Sequence, residues 1–218
     1  KIQVQSDGGL IVAIISNGTT IADAGAFSAS LGSMVLIKTL TASSSGTLSF
    51  VDGSASVVLD NTYPIYVFKF FDIHPATNAA EISFNVSIDS GSNYNVAKTT
   101  TCHRSYHTED DNNATLDYVG DFDLAQGTGF QPLALNQGNA NDESAVGTLT
   151  LFNPSSTTFV KHFIFSGNNS HDASNPGAVS GFFAGYANTT SAVDAIQFKM
   201  STGNIDAGTI KMYGIKDS

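Results

Sequence analysis

Apolar and polar residues alternate along short segments of this chain, with the period of two that a β-strand requires. Between Glu81 and Asp89 every second residue is apolar, and serine or asparagine occupies the positions between them. Successive side chains of a strand point to opposite faces, so such a segment has one face for a core and one for solvent. The alternation predicts antiparallel strands rather than helices.

The last 24 residues show the same pattern twice, in Ala195–Met200 and in Thr209–Ile215. The residues between these segments include Gly203, Asn204 and Gly208, which tolerate the positive φ angles that turns need. We therefore predict that the two segments form a closing hairpin with one buried face.

Tyr63–Ile73 is apolar on both parities, which predicts a central strand covered on both sides. No segment has a convincing helical period, although a short helix within residues 120–130 is compatible with the pattern. In all, about ten to twelve strands with frequent turns are expected. The remaining predicted strands are Met34–Leu40, Thr47–Val51, Ser56–Leu59, Val96–His107, Thr148–Phe152, Thr158–Phe165 and Ala178–Ala187.

This arrangement predicts an all-β fold, an antiparallel β-sandwich of jelly-roll type, for residues 31–218. We expect residues 1–30 to form a short N-terminal extension that docks onto a partner. The stretch from Gly120 to Gly147 has little periodicity, and a loop of that length in a compact domain is usually functional or part of an interface.

Charge excludes two classes of partner. The chain has a net charge of −10 and one arginine, Arg104, among nine basic residues. Nucleic acids and anionic membranes both require clustered positive charge, so neither is an expected partner. The excess of acidic over basic residues is instead typical of a densely assembled protein that must stay soluble.

Metal and thiol chemistry have weak support in the sequence. Cys102 is the single cysteine, so no intrachain disulfide forms, and we predict a buried structural thiol. His103 and His107 lie four residues apart on a predicted strand, about 13 Å, which is too far to share one metal ion. Asp117, Asp121 and Asp123 leave calcium binding open as an alternative, although their spacing does not match an EF-hand loop.

No motif for catalysis is evident, and neither an enzymatic activity nor a cofactor is expected. Asp142 and Glu143 are adjacent carboxylates, whereas a glycosidase needs two carboxylates that flank a sugar. Adjacent residues rarely present that geometry.

Several turn and strand segments between about Met34 and Ile215 have a distinctive sequence, and they are Met34–Lys38, Thr41–Ser44, Tyr63–Pro75, Ser90–Asn95, Thr148–His162, Ala184–Ser191 and the closing segments. In these residues the chain resembles a family of small structural proteins of marine tailed phages, including cyanophages. The resemblance implies a β-sandwich within a virion, usually in a symmetric oligomer.

The first hypothesis is therefore a non-enzymatic virion protein, assembled in the bacterial cytoplasm, that forms a homo-oligomer, expected to be a trimer, and contacts other virion proteins. It would serve as a capsid decoration or a compact tail or fibre appendage. The alternative is a carbohydrate-binding module that recognises host surface glycans. The candidate receptor or interface residues are Tyr118, Asp121, Asp123, Asn141, Asp142 and Tyr186.

Overall fold

The computed structural model describes residues 33–216 and, before them, the backbone of four strands. The chain divides into two compact units, residues 1–35 with Ser218 and residues 36–217. The four strands belong to the first unit and form an antiparallel sheet in sequential order. Whether residues 1–30 dock onto a partner is a prediction that falls outside the described residues. The four strands are β1 (Ile2–Asp7), β2 (Leu10–Ser16), β3 (Thr19–Asp23) and β4 (Ala26–Phe27).

The described part of the second unit consists of strands and loops, with one 3-10 turn at Gly120–Phe122 and no α-helix. None of its segments is a helix long and apolar enough to cross a membrane. The strands are β5 (Met34–Thr41), β6 (Leu48–Val51), β7 (Ile65–Pro75), β8 (Ile82–Ser87), β9 (Lys98–Thr108), β10 (Ala114–Tyr118), β11 (Gln131–Pro132), β12 (Ala145–Phe152), β13 (Lys161–Ser170), β14 (Gly177–Ala187), β15 (Ala195–Met200) and β16 (Ile205–Ile215).

These strands form two sheets. The long sheet has eight strands in the order β10-β9-β14-β13-β12-β7-β16-β5, and the short sheet has four in the order β11-β8-β15-β6. The two sheets pack face to face around one apolar core, so the predicted all-β antiparallel sandwich is confirmed. The segment predicted at Tyr63–Ile73 does form a central strand, because β7 lies between β12 and β16, but the prediction that it is covered on both sides is wrong, since Phe71 is 40% exposed on the face away from the short sheet.

Phenylalanine rings fill the centre of the core. Phe198 of β15 is fully buried, and its ring centroid lies 5.2 Å from that of Phe70 and 5.6 Å from that of Phe68. Phe84 and Phe50 of the short sheet contact the same ring at 6.4 and 6.3 Å. The strand alternation thus places aromatic residues of both sheets in one interdigitated cluster.

The predicted closing hairpin is wrong. β15 pairs with β6 and β8 in the short sheet, whereas β16 pairs with β7 in the long sheet. The chain therefore arches across the core, and both strands bury their apolar faces between the sheets. Alternation is the same for a hairpin and for an arch, so the pattern could not separate them. Positive φ angles occur at Gly203 and Gly208, as predicted, but not at Asn204, where one was also expected.

The strand predicted at Ser56–Leu59 is also wrong. This segment is a loop in which Ala55 and Ser56 have positive φ angles. The side chain of Asp52 accepts a hydrogen bond from the backbone N–H of Leu59 at 2.8 Å, which closes the loop. The backbone N–H of Leu59 therefore bonds to a nearby side chain instead of to a neighbouring strand.

β5 forms one edge of the long sheet and lies beside β16. Beyond its end, the N–H of Ala42 bonds to the carbonyl of Gly208 and that of Ser44 to the carbonyl of Asp206. The partner residue number falls as the chain advances beyond β5, so the two segments run antiparallel. The start of β5 therefore lies beside the end of β16.

Candidate functional site

The long sheet has an outer face, formed by the side chains that point away from the short sheet. Cross-strand pairs align these side chains in rows that run over most of the sheet. One such row consists of Lys211, Lys69, Thr148, Ser166, Phe182, His103 and Tyr118, each opposite the next. Phe182 and Ile164 lie near the centre of the outer face, where their side chains are 44% and 41% exposed.

The outer face exposes further large apolar side chains on other strands. Leu116 lies on β10, Val146 on β12 and Phe71 on β7, and all three are exposed. In the row that contains Val146 and Leu116, the three positions between them are Asn168, Ser180 and Ser105, so these apolar side chains do not form one continuous surface.

Within the regular register of the seven strands from β10 to β16, the outer face carries no carboxylate. Its charged groups are Lys69 and Lys211, although the chain as a whole has a net charge of −10. Asp117 of β10 points to the other side and forms a two-point ion pair with Arg104, at 3.0 and 3.2 Å. Asp72 is confined to the irregular end of β7.

The two ends of this row differ in charge. At the β10 end, the hydroxyl of Tyr118 donates a hydrogen bond to the Asp123 carboxylate, which raises the pKa of Tyr118. The His103 ring meets the Tyr118 ring edge-on at 5.4 Å. At the other end, the ammonium group of Lys211 lies 5.0 Å from the centroid of the Phe71 ring.

Tyr186 lies on the outer face as well, opposite His162 and Thr99 in neighbouring strands. Its ring centroid is 5.9 Å from that of His162. Together with Phe152 these side chains line a shallow, mostly apolar groove of about 500 Å³. Tyr118 and Tyr186 therefore lie on the same face of the long sheet.

Asn141 and Asp142 lie elsewhere, in the loop before β12. Asp142 lines two adjacent clefts of about 670 and 490 Å³, and Asn141 lines the smaller one. Asp121 is in the 3-10 turn and is exposed. The six candidate residues thus fall into three places: Tyr118, Asp123 and Asp121 near the β10 end, Tyr186 in the groove, and Asn141 with Asp142 at the clefts.

The aspartates considered for calcium binding have separate surroundings. Asp117 pairs with Arg104, Asp123 accepts the Tyr118 hydroxyl, and Asp121 lies on a turn. Within the described ranges, no group of three or more His, Cys, Asp or Glu side chains is arranged to hold a metal ion. Cys102 is buried, as predicted, and desolvation raises the pKa of its thiol to about 12.

Phe182 and Ile164 were not among the residues chosen from the sequence. In β13, Ile164 has the opposite parity to the buried Phe163 and Phe165, and in β14 Phe182 has the opposite parity to the buried Phe183. Because side chains alternate between the two faces of a strand, the positions of both residues relative to the buried phenylalanines could have identified them as outward-facing.

Comparison of the chain with protein-family models, curated proteins and solved structures found no match. The functional argument therefore depends on this geometry and on the resemblance seen in the sequence.

Proposed function

We propose that this chain is a non-enzymatic structural protein exposed on a phage particle, where it forms a homo-oligomer through the outer face of its long sheet. A capsid decoration or a compact tail or fibre appendage fits its size and the resemblance to marine phage proteins. The supporting observation is that the regularly paired part of the outer face carries no carboxylate and exposes Phe182 and Ile164 near its centre.

Electrostatics favour contact between copies at this face. Two copies with a net charge of −10 repel each other over most of their surfaces. The paired part of this face has no carboxylate and allows close approach, and burial of Phe182 and Ile164 would then supply hydrophobic stabilisation. Eight strands about 4.8 Å apart, each with about seven paired residues, span about 800 Å², so a ring that divides this face between two neighbours has contacts of about half the standard area per partner.

The unlike ends of the face suggest a ring. The lysines of β7 and β16 lie at one end, and the Tyr118–Asp123 pair lies near the other. A contact between unlike patches is heterologous, and it closes into a cyclic oligomer when the rotation allows. A trimer joined in this way places an ammonium group of one copy near the Asp123 carboxylate of the next.

Strand order supports the finer proposal that the sandwich has a jelly-roll core. The jelly roll would comprise the order β5-β16-β7-β12 in the long sheet and β6-β15-β8-β11 in the short sheet. The pairs β9–β10 and β13–β14 would then be insertions that extend the long sheet. Jelly rolls are frequent in viral capsid proteins and in lectins.

The oligomeric state tests the assembly proposal. The full chain is measured by sedimentation equilibrium at micromolar concentration, beside the variants Phe182→Asp and Phe159→Asp. Phe159 is 69% exposed in the loop before β13 and serves as the matched control. We expect trimers of the parent and the control, and monomers of Phe182→Asp that keep the far-UV circular dichroism of the parent. A monomeric parent, or equal effects of the two variants, would overturn the assignment of this face.

Location on the particle needs a separate measurement. A cryo-electron microscopy reconstruction of the particle that contains this chain would separate a decoration from an appendage. Density on the capsid lattice indicates the first, and density at the tail or a fibre tip indicates the second. Absence of the chain from purified virions would reject the virion assignment.

The alternative function, a carbohydrate-binding module, is favoured by the groove beside Tyr186. Aromatic rings with a polar edge are suited to stacking against sugar rings, and Tyr186, His162 and Phe152 lie together there. Glycan binding that is lost in Tyr186→Ala and kept in Tyr213→Ala would support this function.

A further inference from the structure

The larger cleft lies at the end of the long sheet, and we call it the end cleft. One wall is the turn between β13 and β14, the second is the end of β9, and the third is the loop before β12. It encloses about 670 Å³, enough for one or two sugar-sized rings. The end cleft shares Asp142 and Glu143 with its smaller neighbour.

Hydrogen bonds fix the walls of the end cleft. The Tyr106 hydroxyl donates to the carbonyl of Asn175 at 2.6 Å, and the N–H of Glu109 donates to the carbonyl of Pro176 at 3.1 Å. On the opposite wall, the carboxylate of Glu143 accepts the N–H of Ala140 at 2.6 Å. A site whose loops are already ordered binds a ligand at a lower entropic cost.

Within the described part of the chain, two buried side-chain atoms that could form hydrogen bonds have no partner. Both belong to residues at or next to this cleft. They are Nδ1 of His171, which lines the cleft and lies 3.6 Å from Oδ1 of Asp172, and Oε1 of Gln137, which is not part of the lining. The backbones of these residues pair with each other as an isolated bridge. A buried unpaired polar group is costly, so its presence calls for an explanation such as a bridging water or a ligand.

The lining of the end cleft consists mainly of hydrogen-bonding groups. Glu109, Asp142 and Glu143 supply carboxylate oxygens, while Asn168 and Ser170 supply an amide and a hydroxyl. Carboxylates accept hydrogen bonds from hydroxyl or ammonium groups and repel anions. This chemistry fits a ligand that is rich in hydroxyls and bears no negative charge.

We propose that the end cleft binds a neutral or amino sugar residue, of the kind displayed by surface polysaccharides. The sugar hydroxyls donate to the three carboxylates and pair with Asn168 and Ser170. A hydroxyl, directly or through a water, completes the hydrogen bonding near His171. The inference is independent of self-association through the outer face, and it places the sugar in a different site from the groove beside Tyr186.

Saturation-transfer NMR on the full chain provides the test. The probes are methyl glucoside, methyl galactoside, N-acetylglucosamine and glucosamine, with glucuronic acid as the anionic comparison. We expect signal from at least one uncharged or amino sugar and none from glucuronic acid. No signal from any probe at millimolar concentration, or equal signal from glucuronic acid, would overturn the proposal.

A charge reversal locates the sugar within the structure. Asp142→Lys places an ammonium group in the cleft, and we expect at least a tenfold loss of affinity for the uncharged or amino sugar. Asp206→Lys is the matched control, because Asp206 lines the smaller cleft and not the end cleft. Equal losses in both variants would contradict the proposal. Loss of binding in Tyr186→Ala with retention in Asp142→Lys would move the sugar to the groove.

Discussion

The ammonium group of Lys98 lies 2.6 Å from the side-chain oxygen of Asn85, and both residues are fully buried. Lys98 is in β9 of the long sheet and Asn85 is in β8 of the short sheet, so the bond joins the two sheets. The second acceptor is the carbonyl of Val96 at 2.9 Å. Neither acceptor is a carboxylate, and desolvation lowers the pKa of Lys98 to about 7.

The first prediction is that stability rises with pH because of Lys98. Its pKa is about 7 in the folded chain and 10.5 in the unfolded chain. Between these values the unfolded chain holds a proton that the folded chain lacks. The free energy of unfolding therefore rises by up to about 1.4 kcal/mol per pH unit over this window and levels off outside it.

Comparison with Lys98→Met isolates this contribution, because the other titrating groups occur in both proteins. Urea denaturation between pH 6 and pH 10 gives the free energy of unfolding of each. The parent should gain stability relative to Lys98→Met as the pH rises. A constant difference across the range would show that Lys98 titrates normally in the folded chain.

The second prediction concerns Cys102. Its thiol is buried in β9, and with a pKa of about 12 almost no thiolate forms at pH 8. An aromatic disulfide reagent should label the native chain only as fast as the chain unfolds, and should label it at once in denaturant. Rapid labelling of the native chain would mean that β9 opens locally.

The third prediction concerns the aromatic cluster. Phe198→Ala removes a ring that contacts phenylalanines from both sheets, and we expect it to cost about 3–5 kcal/mol in the free energy of unfolding. Phe159→Ala, at an exposed site, should change stability by less than about 0.5 kcal/mol. Chemical denaturation of both variants measures the difference, and similar costs would place Phe198 outside the core.

The fourth prediction concerns Gly185, where β14 lies close to β9. A Cβ atom at this position would lie 2.4 Å from the carbonyl oxygen of Thr99 and 2.9 Å from the Cα atom of Thr100. Backbone atoms cannot yield as a flexible side chain does, so Gly185→Ala should destabilise the fold by about 1–3 kcal/mol. At Gly129 an added Cβ atom meets nothing within 4 Å, which makes Gly129→Ala the control. Calorimetric melting of the pair would detect the difference, and equal melting temperatures would contradict it.

Period-two alternation predicted the fold class because it depends only on which residues face the core. It identified the strand around Phe84 and both segments of the last 24 residues. It could not say which strands pair, since Ile210 buries its side chain equally well in an arch and in a hairpin. Pairing depends on contacts between distant segments, and those leave no local pattern.

The candidate site was predictable only in part. Tyr118 and Tyr186 were chosen as flat aromatic rings that could form a platform for a sugar, and both lie on the outer face. Lys98 was not singled out, although it shares the parity of the buried Thr100 and Cys102. A single lysine in a polar strand gives no sign that the neighbouring sheet will cover it.

The adjacency of β5 and β16 determines how the sandwich responds to mechanical load. The chain enters at Met34 and leaves the sandwich at Ile215, and these points lie side by side at one edge of the long sheet. Tension applied between them would open the two strands one hydrogen-bonded pair at a time, instead of shearing all the pairs together. Such a fold would resist load more firmly through a sheet face than through the two points where the chain enters and leaves.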